Sequence, residues 1–400
     1  MQQSVPKKPT RRSRRRQCLR LAVLALLLGG GLAGWRTWKE RRDRPQQIFD
    51  TALASVRKGD LREVDKAIEF LENEPGYASQ TRVLRGAALA QRGRVSEALL
   101  ELQSVSLDGD LRGPVLYWAG RCLEQQGKLV EAESAFRKLL QDEPDHAEAH
   151  RRLAGIYHGL GAMDAAVAEL EHVVRLDPND YAAYQLIGDI YHRDGGQENE
   201  AVKNYRDALD RHPPETERAN IACDLAESLV ALRKYREALR ALPGGNNARA
   251  LTLHAECEWN LNHKENARKL LQRSLQINAT LRSSLIFQAR LHIDDREPKK
   301  AVLLLQRILK TDPHDYPARY QLIQAYRQLG DTAAAEREST RMVESEALRK
   351  QLGTLYRRAM KDMNDVGVRR RIAELCEKLG QDRLAAIWKR AAQTAGERKE

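Results

Sequence analysis

The sequence predicts an all-α chain, a solenoid of stacked helix-turn-helix units preceded by one short apolar helix near the N-terminus. Three observations predict it. An alanine recurs at intervals near 34 residues along most of the chain. Helical apolar periodicity surrounds each alanine, punctuated by glycine and proline. Ala, Leu, Glu and Arg dominate, and only 5% of the residues are aromatic, a composition that favours helix over strand.

The chain opens on a basic leader, 1–18, expected to be disordered and cytoplasmic. Lys7, Lys8, Arg11, Arg12, Arg14, Arg15 and Arg16 precede an apolar run from Leu19 to Trp35 that only Arg20 interrupts. Seventeen residues in a helix span about 26 Å, slightly short of a hydrocarbon core of roughly 30 Å. Seven leucines and Val23 favour insertion; Arg20 can snorkel, and Trp35 and Trp38 suit the far interface. A transmembrane or signal-anchor helix over 19–38 follows, with the N-terminus cytoplasmic and the repeats extracytoplasmic, as in a bacterial inner membrane. The other reading is a cleaved signal peptide that leaves an exported, soluble protein, against which the bulky Trp35 beside Leu32-Ala33-Gly34 speaks. Arg15, Arg16, Leu19 and Arg20 also resemble a twin-arginine export signal, from which Arg14 and Cys18 depart.

Charge sorts with this segment. Residues 1–44 hold thirteen Lys/Arg and two acids, +11 of the chain's +12, so the remaining 356 residues are nearly neutral. Attraction to phosphate backbones therefore has little support, and no nucleic-acid partner is expected.

From about Gln46 the repeat takes over. Its marker alanines are Ala67, Ala98, Ala132, Ala166, Ala201, Ala238, Ala267, Ala301 and Ala335, spaced 31, 34, 34, 35, 37, 29, 34 and 34. Residues 147–180 show the unit clearly. Leu153, Ala154 and Tyr157 form one apolar face, Gly161 breaks the helix, and Ala166, Leu170 and Val173 form a second face closed by Pro178. Gly120, Gly127, Ala132, Phe136 and Pro144 hold the same places in the preceding unit; Ile187, Gly188, Tyr191, Ala201, Tyr205 and Pro213, then Leu322, Tyr326, Gly330 and Ala335, follow. Small residues where the two helices of a unit cross let them approach closely. Each pair must stack on its neighbours to bury its apolar face. Leu242-Pro243-Gly244-Gly245-Asn246-Asn247 cannot continue a helix and reads as a tight linker or a bend. The expected organisation is an N-terminal array at 46–245, a C-terminal array at 246–345, a helical capping region with a degenerate repeat at 346–395, and a tail at 396–400.

These motifs resemble the tetratricopeptide repeat, whose pattern is W-x2-L-G-x2-Y, then A-x3-F, then P. The resemblance covers about 85% of the chain in eight to ten units. It implies a right-handed superhelix whose concave side is lined by the first helix of each unit, with the second, fifth, ninth and twelfth places facing a bound peptide. Those places carry Tyr117, Arg121, Arg151, His158, Gln185, Asp189 and His192, then Glu256, Trp259, Arg290, Tyr320, Gln324 and Arg327. Of these, Tyr117, Trp259 and Tyr320 are expected to be exposed aromatic anchors. The lysine and asparagine clamp by which some members hold a peptide C-terminus is absent, since the fifth and ninth places read Arg151 and Gly155, then Gln185 and Asp189.

No catalytic set is expected. The sequence holds no phosphate-binding glycine loop, H-E-x-x-H helix or nucleophile elbow. His146 and His150 flank Glu148 at helical spacing, but they open a well-formed repeat and read as ordinary first-helix residues rather than metal ligands. Asp294-Asp295 reads as a solvated turn, Asn278-Ala279-Thr280 as a chance glycosylation sequon, and the five scattered cysteines as free thiols. Neither cofactor, metal nor small-molecule substrate is expected. The predicted function is a non-enzymatic, membrane-tethered scaffold that binds proteins or peptides in its groove; the alternative is a cell-envelope assembly or chaperone-like factor holding extended segments of secreted clients.

Overall fold

The computed structural model describes residues 44–193, 197–362 and 365–396. The apolar segment expected at 19–38 lies outside them; among the described residues no helix is long and apolar enough to cross a membrane. Twenty helices follow one another there, with no strand. Contacts gather them into two bodies, divided between Cys122 and Leu123.

The N-terminal body holds α1 (44–58), α2 (Leu61–Glu72), α3 (Ala78–Gln91), α4 (Val95–Gln103) and most of α5 (Arg112–Gln125). Val56, Val64, Leu71, Leu84, Leu102 and Trp118 form its buried interior. Gly86 shows why one first-helix place must be small: a Cβ there would stand 2.7 Å from Leu102 Cγ.

The C-terminal body contains α6 (Leu129–Asp142), α7 (Ala147–Gly159), α8 (Met163–Leu176), α9 (Tyr181–Arg193), α10 (Glu198–Leu209), α11 (Glu215–Ala231) and α12 (Tyr235–Ala241). It continues with α13 (Ala248–Asn260), α14 (Lys264–Ile277), α15 (Arg282–Asp294), α16 (Pro298–Thr311), α17 (Tyr316–Leu329), α18 (Thr332–Lys361), α19 (Val366–Lys378) and α20 (Asp382–Gly396). From α7 onward they pair as α7 with α8, α9 with α10, and so on to α19 with α20. All nine marker alanines are buried, each in the second helix of its pair. In α9, Gly188 allows a similarly close approach, since a Cβ on it would lie 2.7 Å from the ring of buried Tyr205.

Turns between paired helices need a left-handed residue. Glycine supplies it at Gly127, Gly161, Gly330 and Gly380, with φ between 68° and 79°. Arg233, Asn262 and Arg296 adopt the same conformation at the equivalent turns, with φ of 58°, 71° and 60°. Side-chain caps fix several helix starts: Asn247, Asp315 and Asp365 before the first helices α13, α17 and α19, and Asp331 before the second helix α18, each accept a backbone N–H three residues on.

Packing runs through the interruption at 242–247. The helix α12 stops at Ala241, Gly245 turns at φ 99°, and Ala238, Ala250, Leu253 and Cys257 share one core. The core is continuous across residues 245 and 246, and the contact division lies far upstream, within α5. Between α13, α14 and α15 the hydroxyls of Thr252, Ser274 and Ser284 satisfy one another at 2.6 to 3.0 Å, so these buried polar groups carry no desolvation penalty for a missing partner. The lapse in repeat register after Ala335 has a plain cause. The 30-residue α18 fuses a second helix with what would have been the following first helix, and α19 and α20 pair around the turn at Gly380.

Candidate partner-binding groove

In the C-terminal body the successive first helices α9, α11, α13, α15 and α17 touch one another, whereas the second helices meet far less. Helices closer together on one side of a stack make that side the inner one, so the first helices form a continuous inner layer. Side chains cross-link this layer from pair to pair. Arg249 on α13 donates to Asp224 Oδ1 at 2.6 Å and Glu227 Oε1 at 2.8 Å on α11. Arg290 on α15 reaches back to Asn260 at 3.4 Å and Glu256 at 3.7 Å on α13. On α9, His192 Nδ1 meets Ser228 at 3.0 Å and Glu198 at 2.9 Å. Within the α9–α10 pair, Tyr205 donates to Asp189 at 2.8 Å.

Carboxylates crowd the middle of this layer. Burial pushes the Asp224 carboxyl above its ordinary range; Arg249 pulls it back, and Asp189 and Glu227 push it further up. Burial likewise raises Glu256, with Arg290 opposing and Glu227 adding. For Arg249 burial works against the charge, but hydrogen bonds and attraction from Glu227 and Asp224 outweigh it and hold the guanidinium firmly charged. The result is a polar inner face with fixed positive posts among acids.

The expected groove residues divide. Arg151 is tied to Glu148 and Asp180, while Asp189, His192, Glu256 and Arg290 stand in the cross-linked layer. His158, Gln185 and Gln324 are half-buried, Arg327 is exposed, and Tyr320 is 45% exposed. Two aromatics expected to be exposed are not. Trp259 is 8% exposed, edge-on to Phe287 at 6.5 Å, with Lys264 and Arg268 beside its ring. In the N-terminal body Tyr117 is 2% exposed, edge-on to Trp118 at 5.2 Å and covered by Arg57; Arg121 lies within 3.5 Å of its hydroxyl. Asp224, Glu227 and Arg249 were missed. Counting back twelve places from Ala238 reaches Ala226, which makes Glu227 a ninth-place residue.

The other chemical candidates are absorbed by structure. His146 caps α7 through Nδ1, while buried His150 bonds Glu169 at 2.6 Å and the Pro144 carbonyl at 2.9 Å and stacks on His172 at 4.5 Å. Asp295 is held by both nitrogens of Arg268, and Asn278 Oδ1 accepts from Thr280 N and Oγ1 in a local turn. Cys122, Cys223, Cys257 and Cys376 are buried thiols; burial pushes Cys122 and Cys223 up to about 11. Among the described residues no group of three or more ligating side chains could hold a metal ion.

Parts of the chain are similar to known proteins. A family model described as "Tetratricopeptide repeat" matches residues 123–190 and 292–359, and a second with the same description matches 181–214. DnaJ homolog subfamily C member 3 of Gallus gallus is 25% identical over 287 residues, 69% of this chain and 52% of that protein. Its Homo sapiens counterpart is 25% identical over 216 residues, 53% of this chain and 38% of that protein. The chain thus spans about half or less of these relatives. Among solved structures, Pseudomonas aeruginosa pilF superimposes with a TM-score of 0.41 at 18% identity, over 53% of this chain and 97% of that one. MamA does so with 0.38 at 18%, over 42% and 91%. The chain carries tetratricopeptide repeats, matched at 123–214 and 292–359 and extended by the same helix pairing between and beyond those stretches.

Proposed function

We propose that this chain is a non-enzymatic interaction scaffold that takes a partner protein or peptide on the inner face of its C-terminal body and is tethered to a membrane by residues 19–38. Tetratricopeptide-repeat proteins act as protein-interaction scaffolds. The observation that carries the reading here is the inner layer itself, a continuous run of first helices on which Gln185, Asp189, His192, Glu256, Arg290, Tyr320, Gln324 and Arg327 follow one another. Fixed charges of both signs suit a polar, extended segment, and half-exposed Tyr320 supplies an aromatic contact. The tether reading rests on the apolar run after a basic leader, and with it goes the reading that the repeats lie outside the cytoplasm.

Photo-crosslinkers at Gln185 and Tyr320 in the full chain, expressed in its own cells, test the scaffold. One discrete adduct at both positions is the expected result, and adducts no different from those at Leu303, which is 70% exposed on α16, count against it. Protease protection of sealed membranes checks the topology. The second reading, a chaperone-like factor for secreted clients, gains weight from the likeness to proteins named DnaJ homologs. It predicts that unrelated unfolded peptides compete away the adduct.

A further inference from the structure

The C-terminal body closes on itself. Each helix from α6 to α20 touches the one after it, and α20 touches α6 again, so the contacts form a complete circuit. Two glycine turns make the closing seam. At Gly161, with φ +79°, the space a Cβ would need is filled by the ring of Tyr356 from α18. At Gly127, one repeat earlier and also left-handed, a Cβ would stand 3.0 Å from Nη1 of Arg390 on α20, and the same Nη1 donates to the Gln126 carbonyl at 2.9 Å. The equivalent turn at Gly330 has nothing within 4 Å of a Cβ.

What docks on these turns has an interior of its own. Tyr356 stacks on fully buried Trp388 at 6.0 Å, its hydroxyl lies 3.5 Å from Cys376 Sγ, and Ile372, Leu375 and Ala385 complete a small core among α18, α19 and α20. The seam outside that core is loose. An open cavity of about 950 Å³ lies between α20 and α7, lined by Gln125, Ile156, Gln381, Arg383 and Ile387. A second, of about 530 Å³, lies between α18 and the start of α8, lined by Met163, Asp164, Arg357 and Met360. The middle of α18 is mostly exposed between Ala335 and Leu352. The array is thus joined to the docked module by one long helix, and open cavities flank the two turns on which the module rests. An interface of that kind, unlike the apolar stacking inside the array, separates at little cost.

We propose that the C-terminal half of α18 with α19 and α20 is a clasp: docked on the Gly127 and Gly161 turns it holds the C-terminal body closed, and released it opens the inner face to a partner. This rests on reading that face as the binding surface. The two glycines give the test a matched control, because Gly161→Ala and Gly330→Ala impose the same left-handed strain, at φ +79° and +77°, while only the first expels Tyr356.

The full chain carrying Cys18→Ser and a reporter, Gln185→Cys, is treated with a 5 kDa polyethylene-glycol maleimide; the four remaining native thiols are buried. The labelling rate of the inner face should rise on the order of tenfold in Gly161→Ala, rise less in Arg390→Ala, and stay at the parent rate in Gly330→Ala. Equal rates in Gly161→Ala and Gly330→Ala overturn the clasp, since strain alone would then explain any change. Should Gly161→Ala fail to fold by circular dichroism, Arg390→Ala decides alone, and a parent-like rate there overturns it. No partner takes part in the labelling, so a scaffold that captures nothing in the crosslinking experiment leaves this result standing.

Discussion

His150 in α7 and Arg319 in α17 hold the same place in two distant repeats and make the same pair of bonds. Each reaches a glutamate nineteen residues on, Glu169 or Glu338, and a proline carbonyl six residues back, Pro144 or Pro313. Both side chains are 7% exposed. The bonds tie the first helix of the pair to its second helix and to the turn that leads in, so the same fastening is built from two chemistries.

The chemistries should part on mutation. A guanidinium cannot shed its charge, while an imidazole can. Glu338→Ala leaves Arg319 buried beside a neutral partner and should cost about 3 kcal/mol. Glu169→Ala removes one hydrogen-bond partner of His150 and leaves the Pro144 carbonyl, and should cost roughly half as much. Urea unfolding followed by far-ultraviolet circular dichroism measures both, and equal costs would show that the fastening is steric rather than electrostatic.

Left-handed turns without glycine invite a gain. Arg233 and Arg296 sit at φ 58° and 60°, where a Cβ costs about 1–2 kcal/mol. Glycine removes that strain but adds freedom to the unfolded chain. Arg233→Gly and Arg296→Gly should therefore each stabilise by ~0.5–1 kcal/mol. Asn262→Gly should do little, because asparagine tolerates this region. A shift in the urea midpoint at unchanged slope is the measurement.

A methyl group placed on two glycines of neighbouring first helices should have opposite effects. At Gly188 it would meet the Tyr205 ring at 2.7 Å, and Tyr205 is fully buried and bonded to Asp189. Overpacking there should cost about 1–3 kcal/mol. At Gly155, helical and exposed, a Cβ meets nothing within 4 Å, and alanine should stabilise by ~0.5–1 kcal/mol through helix propensity alone. Thermal melts of Gly188→Ala and Gly155→Ala compare them directly.

The helix pairs were legible because their cause is local. A small residue where two helices cross writes itself into the sequence every 34 residues, as at Ala132 and Ala166. The surface of the groove was legible only in part. Place counting puts Tyr117 and Trp259 on the peptide-facing side, but what covers them comes from other turns and helices: Arg57 over Tyr117, and Phe287 with the charged ends of Lys264 and Arg268 around Trp259. Glu227 and Arg249 escaped because the intervals of 37 and 29 residues on either side of Ala238 blur the register. Arg233 hid a turn that glycine marks elsewhere. The meeting of Tyr356 with Gly161 belongs to no repeat at all, and periodicity carries no trace of a contact made by the curvature of the whole array.

The acidity of the inner face gives a pH prediction whose sign is fixed by the direction of the Glu256 shift. Its carboxyl is raised, by burial first and by Glu227 in addition, so the folded state holds this proton more tightly than the unfolded chain does. The ionised carboxylate therefore costs stability at neutral pH. That cost fades as pH falls through the raised folded value and is gone below the unfolded value near 4.3. Glu256→Gln removes the charge while keeping the shape, and Arg290 keeps Asn260 as a partner. The variant should be more stable than the parent by ~0.5–1 kcal/mol at pH 7 and indistinguishable from it at pH 4. Urea unfolding at the two pH values reads this out. A variant less stable at pH 7 would mean that the attraction of Arg290, 3.7 Å away, outweighs burial, and that Glu256 acts as a structural partner of Arg290.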